Sequence, residues 1–401
     1  MHVRGLHFPV ATYHQRRVVA AGLAARHAFA PVPVLLVGCD EHRLRAERQD
    51  PWFDYYTGCQ EPDAAVLIEP GGRSTLFIDP GDPGRVVWDG PRLPPGRATA
   101  RRFGVDACRP LQDLEEAVRA AVRRCDGRLG MCHRTREPGF QAAAFSRWKA
   151  RLAPEVAVFS VEPALVHQRM IKSRDEVACH REAIRRTAAG LKAWLPRIPA
   201  LDSEAELAAG LIGHYRSHDY GPLAFPPICG AGVHAATLHY PHNDRPMGRA
   251  RCVLIDSGAT AAGYCADVTR TVPRSGRFSD RRFRELYDLV LAANALGRAN
   301  ARPGMSRNRL NDIAWKPIID AGYTRHHGLW HHIGLDVHDP ADYDEALAPG
   351  MIISNEPGIY LSDEGIGIRI EDDLLITADG CEDLTAAIPK DRDGIEAWMR
   401  G

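Results

Sequence analysis

Short apolar runs punctuated by turn residues fill the first part of this chain. PVLLVG, AAVLIEP, STLFIDP and RVVW read as strands, being brief apolar stretches bounded by glycine, proline and aspartate. LEEAVRAAVRRC repeats its apolar residues every three or four positions and reads as a helix, so the pattern predicts an α/β arrangement. Farther along, Ser173 and Glu176 stand three apart ahead of a stretch that stays helical through Leu191. A hydroxyl and a carboxylate at that spacing satisfy each other's free backbone donors at a helix start. Pro196 and Pro199 end that helix, and Ser203 with Glu206 opens the next by the same device. A boundary near residue 162 is expected, dividing the chain into 1–161 and 162–401.

The last third changes rhythm. VLIDSGAT is an apolar strand that delivers Asp256 into the interior, and YCADVTRTV follows it. A strand's period of two puts Cys265, Asp267 and Thr269 on one face of that second segment. The small residues SGATAAG between them read as a hairpin connection, which would set Asp256 beside Asp267. In GIGIRIEDD, Ile366, Ile368 and Ile370 share one face while Gly367, Arg369 and Glu371 share the other. Charge on one face of an otherwise apolar strand is costly to bury without compensation. Together with His331 in HHIGLDVHD and Glu356 in SNEPGIY, these residues have the composition of a site for hard divalent cations: Asp256, Asp267, His331, Glu356 and Glu371 offer four carboxylates and one imidazole. Such donors suit Mn²⁺ or Co²⁺ better than a thiolate zinc site would.

A chain of 401 residues is expected to form two domains. Its 51 basic and 51 acidic residues balance, which argues against nucleic acid or an anionic membrane as the main partner. Only five of the basic residues are lysine, and the arginines are scattered among acids. The ten cysteines include no Cys-x-x-Cys pair. With no secretory signal in view, a soluble protein of the reducing cytoplasm is expected.

GLWHHIGLDVHD, SNEPGIY, GIGIRIEDD and the two aspartates eleven residues apart resemble the pita-bread metallopeptidases, specifically aminopeptidase P and prolidase. RQDPWFDYYTGCQEPDAAVLI is similar to part of the N-terminal domain of aminopeptidase P. The resemblance implies an α/β (α+β) fold, with a pita-bread catalytic domain preceded by a smaller creatinase/aminopeptidase P-like domain. It implies that the five residues bind two metal ions, Asp267 and Glu371 bridging them, and that His331 rather than His332 is the ligand. Manganese is expected, with cobalt or zinc as alternatives.

By the same resemblance His239, His327 and His338 line the site without binding metal. Hydrolysing an amide needs a nucleophile at neutral pH and stabilisation of the oxyanion, and two metals about 3.5 to 4 Å apart supply a bridging hydroxide and a Lewis acid. His239 and His338 are candidates to hydrogen-bond the oxyanion, and Glu356 to serve as ligand and proton shuttle. Arg369 would orient carboxylates or the substrate terminus, and His327 would contact substrate. His214, His218, His234, His242, His326 and His332 are read as structural.

The expected reaction is cleavage of the bond between an N-terminal residue and a following proline, whose tertiary imide lacks an N–H. A dipeptidase is the narrow preference, with Arg43, Arg45 and Arg48 reaching across a homodimer interface to hold the dipeptide carboxylate. The alternative is aminopeptidase P acting on longer peptides, favoured by the N-terminal segment and by the lack of arginine in DPADYDEALAPGMIISN. A metal-free binding module of the same fold is a third reading, and retention of all five ligands counts against it.

Overall fold

The computed structural model describes residues 6–46, 48–133, 140–217 and 222–401. The chain forms two compact units, Met1–Gln168 and Arg169–Gly401. The expected boundary at 162 coincides with the first residue of the helix Glu162–Met170, and the division lies near that helix's other end.

In the first unit six strands form one mixed sheet: β1 (Val34–Val37), β2 (Ala65–Ile68), β3 (Ser74–Ile78), β4 (Ala107–Pro110), β5 (Arg128–Met131) and β6 (Ala157–Ser160), in the order β4-β3-β2-β1-β5-β6. The pairs β1–β2 and β2–β3 are antiparallel, and the others are parallel. Leu35, Leu67, Phe77, Leu129 and Met131 from the sheet pack with Leu114, Val118, Ala121 and Val122 of the helix Leu114–Arg123. That spacing places the helical four on one stripe. The segment WFDYYT is a helix, Pro51–Thr57, capped by Asp50 and closed by Gly58 in the left-handed region.

RVVW is not a strand. Asp82 accepts a hydrogen bond from the Gly84 N–H, Pro83 pre-sets the first turn, and the chain continues as a short helix, Val86–Asp89. A strand needs a neighbouring edge to satisfy its backbone; this run pairs with no strand, and Val87 and Trp88 stay 95% and 82% exposed.

The second unit is built from short strands: β7 (Ile228–Ala231), β8 (Cys252–Ser257), β9 (Thr260–Ala261), β10 (Tyr264–Cys265), β11 (Val268–Pro273), β12 (Ile352–Asn355), β13 (Gly358–Leu361), β14 (Ile366–Arg369), β15 (Asp372–Ile376) and β16 (Cys381–Asp383). They form the sheets β11-β8-β7 and β12-β15-β16 and the ribbons β9-β10 and β13-β14. Around them lie the helices Arg174–Trp194, Glu204–Arg216 and Arg281–Asn300. The reciprocal Ser173–Glu176 pair caps the first helix as expected; at the second Ser203 accepts from the Glu206 N–H, while the Glu206 carboxylate accepts from Asp202 N rather than from Ser203 N. The first helix runs three residues beyond Leu191 before the turn holding Pro196 and Pro199.

Candidate metal centre

β8 and β11 pair antiparallel with Asp256 opposite Thr269, so the two side chains share a face. The connection is itself a small hairpin, β9-β10. The expected unbroken strand from Cys265 to Thr269 is interrupted: Ala266 and Asp267 lie between β10 and β11. Gly258 permits this crossing, because a Cβ there would meet the Ala266 carbonyl oxygen at 1.8 Å. Released from the ladder, the Asp267 N–H donates to Asp373 Oδ2 (3.2 Å). The second carboxylate strand breaks in the same way, with Ile370 and Glu371 between β14 and β15. There the Glu371 N–H donates to the Thr269 carbonyl (3.1 Å).

His331 reaches the same place along β12. Residues 329–333 run beside that strand through hydrogen bonds from Ile333 N to Ile352 O, from Ser354 N to His331 O and from Glu356 N to Leu329 O. His331 and Glu356 are thereby brought together. The Nδ1 of His331 lies 3.1 Å from the His332 carbonyl, which can only accept, so in the neutral ring Nδ1 carries the proton and Nε2 presents a lone pair. Nε2 lies 3.3 Å from Asp267 Oδ2, 3.6 Å from Glu356 Oε1 and 4.0 Å from Glu371 Oε1. Asp256 joins through Arg369, whose Nη2 donates to its Oδ2 (2.6 Å), while the buried Oδ1 has no hydrogen-bond partner.

This arrangement is electrostatically unfinished. Burial, then the neighbouring carboxylates Asp256 and Glu356 among others, pushes the Asp267 and Glu371 carboxyls well above the usual range. Burial likewise raises Glu356, against the pull of His331 and Arg369. A lone pair facing three carboxylate oxygens is repulsive without a cation between them. Ligand atoms of Asp267, His331 and Glu371 all lie within 4.8 Å of one another, and the oxygen-rich donor set fits a divalent ion.

His332 points elsewhere. It is buried with Trp330 and Tyr343 at centroid distances of 5.4 and 5.8 Å, and burial, aided by Lys172, lowers its pKa to about 3. His338 and His239 are both exposed; the His338 ring packs edge-to-face on His331 at 4.2 Å, and His239 lies 6.4 Å from His338. His327 is engaged at both nitrogens, with Nδ1 2.8 Å from the Gly328 carbonyl and Nε2 3.0 Å from the Tyr360 hydroxyl. Burial, then Arg369, lowers its pKa to about 4. Arg369 is 2% exposed, and donates to Asp256, to Thr269 Oγ1 (3.0 Å) and to Tyr360 Oη (3.2 Å). It orients carboxylates rather than reaching outward. Of the remaining histidines, His234 bonds Glu204 (2.9 Å), while His214, His242 and His326 pack edge-on against Tyr215, Tyr240 and Tyr360. His218 lies outside the described residues, as do the side chains of Arg43 and Arg45, although the helix Glu41–Ala46 carries both arginines.

Several residues here have no local sequence signal. Thr269 Oγ1 donates to Glu371 Oε2 at 2.6 Å, and Ser354 Oγ to Glu356 Oε1 at 3.3 Å. Arg270 is fully buried and bonds the carbonyls of Thr269 and Glu371 and the Asp372 carboxylate, clipping the two broken strands together. Arg270 stands between Thr269 and Thr271 in β11, where nothing in the local pattern marks it out.

The model of metallopeptidase family M24 matches residues 178–378, a span holding all five candidate ligands. The chain belongs to metallopeptidase family M24. Metal-dependent peptide hydrolysis is the chemistry of that family, and a divalent metal is part of it. The model of the aminopeptidase P N-terminal domain matches residues 47–129. The Xaa-Pro aminopeptidase of Haemophilus influenzae is 33% identical over 393 residues, covering 88% of each chain. Among solved structures, proline aminopeptidase P II from Yersinia pestis is 28% identical with a TM-score of 0.82, covering 98% of this chain and 99% of the other. Zinc-substituted aminopeptidase P from E. coli in complex with product is 26% identical with a TM-score of 0.82, covering 98% of both chains. The expected architecture, a pita-bread catalytic domain behind a smaller α/β domain, is therefore that of this M24 chain.

Proposed function

We propose that this chain is an Xaa-Pro aminopeptidase. It would remove an N-terminal residue that precedes proline from peptides longer than two residues, using two divalent cations, manganese in the cell, held by Asp256, Asp267, His331, Glu356 and Glu371. The observation that carries this reading is the convergence of Asp267, Glu356 and Glu371 on His331 Nε2, in a chain that aligns with an Xaa-Pro aminopeptidase over 88% of both lengths. The dipeptidase expected from the sequence gives way for two reasons. The relatives described above are named aminopeptidases, and the match in the first unit is to the aminopeptidase P N-terminal domain.

When bound, the cations supply Lewis acidity and make water in the site easier to deprotonate. The chain's own residues do the rest. Glu356, whose Oε1 lies 3.6 Å from His331 Nε2 within the cluster, takes the proton of the attacking water and delivers it to the departing proline nitrogen. His338, exposed beside His331, donates a hydrogen bond to the oxygen that becomes negative, with His239 behind it. Thr269 and Arg369 hold Glu371 and Asp256 in place. The ten free cysteines fit a reducing compartment, and among the described residues no helix is long and apolar enough to cross a membrane.

Hydrolysis of Ala-Pro and Ala-Pro-Ala with added Mn²⁺, repeated with chelator, tests the reading. Cleavage of the tripeptide at equal or greater rate is expected. Activity confined to the dipeptide would restore the dipeptidase, and silence on both would favour a binding module.

A further inference from the structure

The loop between His331 and His338 is closed by buried charges that the mechanism above does not use. Asp339 is 3% exposed. Its Oδ1 accepts from Arg169 Nη2 and from the Asp336 N–H (3.2 Å), and its Oδ2 from Lys172 Nζ (3.3 Å). Arg169 Nη2 also donates to Asp336 Oδ2 (3.0 Å). The backbone completes the closure: Asp339 N donates to His332 O and Gly334 N to Asp336 O, both at 2.9 Å. The Gly334 carbonyl accepts from Cys265 N (2.9 Å), which ties the loop to the strand leading into Asp267. Even the glycine is dictated by the carboxylate, because a Cβ at Gly334 would lie 2.3–2.5 Å from the Asp339 carboxyl atoms.

Two cations and a carboxylate in a dry interior are an expensive way to close a loop, since apolar side chains would close it without desolvating charge. What the charged closure adds is direction. Hydrogen bonds to both carboxylate oxygens fix the backbone at Asp339, and the preceding residue, His338, is left exposed with its ring 4.2 Å from that of His331 and at 67° to it.

We propose that Asp339, clamped by Arg169 and Lys172, is a positioning residue that aims His338 at the reacting carbonyl. This rests on the role given to His338 above.

A double-mutant cycle on Ala-Pro-Ala hydrolysis by the manganese-loaded enzyme tests it, with Asp339→Asn and His338→Ala alone and together. His338→Ala is expected to lower kcat by about 100-fold. Asp339→Asn should lower kcat by about tenfold or more with KM changed less than about twofold, and should add less than about twofold once His338 is alanine. Gly334→Ala displaces the same carboxylate without altering charge, is expected to follow the same pattern, and decides the matter if Asp339→Asn does not fold. Equal losses in both backgrounds, or full activity in a folded Gly334→Ala enzyme, would overturn the positioning role alone. Full activity in His338→Ala would instead remove the reading of His338, and the positioning role with it.

Discussion

Replacing Thr269 by valine removes one hydroxyl from the candidate metal centre and little else. The side chain is fully buried, and its Oγ1 donates to Glu371 Oε2 at 2.6 Å while accepting from Arg369 Nε at 3.0 Å. Valine keeps the branched shape but leaves Glu371 one donor short and Arg369 Nε without that acceptor. A hydrogen bond to a charged group contributes about 1.5–3 kcal/mol. Loss of a group that orients a metal ligand typically weakens metal binding about 10–100-fold, or about 1.4–2.8 kcal/mol, so the two figures agree. Titrating the metal-free variant with Mn²⁺ and following free Mn²⁺ by electron paramagnetic resonance reads this directly. The variant should remain folded, bind Mn²⁺ about 10–100-fold more weakly, and recover most of its activity at saturating metal. An affinity within about twofold of the parent would refute the inference that Thr269 orients Glu371 as a ligand.

Three further outcomes follow from the same geometry. His331→Ala should abolish cation binding measured by calorimetry, whereas His332→Phe should bind normally, because His332 is buried between aromatic rings with no hydrogen bond at Nδ1. Asp267 and Glu371 have folded-state pKa values raised above the unfolded ones, so the stability they contribute to the metal-free protein is present below the ordinary carboxylate range and lost as pH rises through their folded values. The gain in melting temperature when chelated protein is saturated with Mn²⁺ should accordingly grow as pH rises above the ordinary carboxylate range, because the metal must displace those protons. Arg270→Met should lower stability to urea by about 3–5 kcal/mol, since it strips a buried guanidinium from Asp372 and from the carbonyls of Thr269 and Glu371.

Three of the candidate ligands, Asp256, Asp267 and Glu371, stand out in the sequence because each sits beside isoleucine or valine in a short stretch, a pattern that surface residues have no reason to follow, whereas Glu356 lies between Asn355 and Pro357. Helix starts were legible for a similar reason: a capping box is complete within four residues, and the one at Ser173 forms in full, while at Ser203 only the hydroxyl half forms and the Glu206 carboxylate accepts from Asp202 N instead. What escaped was whatever depends on distant partners. Continuous strands through Asp267 and Glu371 are what a period of two suggests, yet both break at those residues because their N–H groups find Asp373 and Thr269 across the fold. RVVW has the residues of a strand but no edge to pair with, and so becomes a helical turn. Thr269, Tyr360 and Arg270 gain their roles from contacts up to 119 positions away, which no local pattern encodes. The choice of dipeptidase over aminopeptidase leaned on a chain short for an aminopeptidase P and on arginines in one segment, and similarity over 88% of the chain or more weighs against it.

The central claim is that these five side chains form one hydrolytic centre for two cations. It is tested most directly by measuring bound manganese per chain by mass spectrometry of the purified, reconstituted protein, alongside Ala-Pro-Ala hydrolysis, in the parent and in Asp267→Ala. Two ions per chain in the parent, with metal and activity lost together in the variant, is the result predicted here. A parent that cleaves the peptide with no bound metal, or a variant that keeps both ions and full activity, would contradict it.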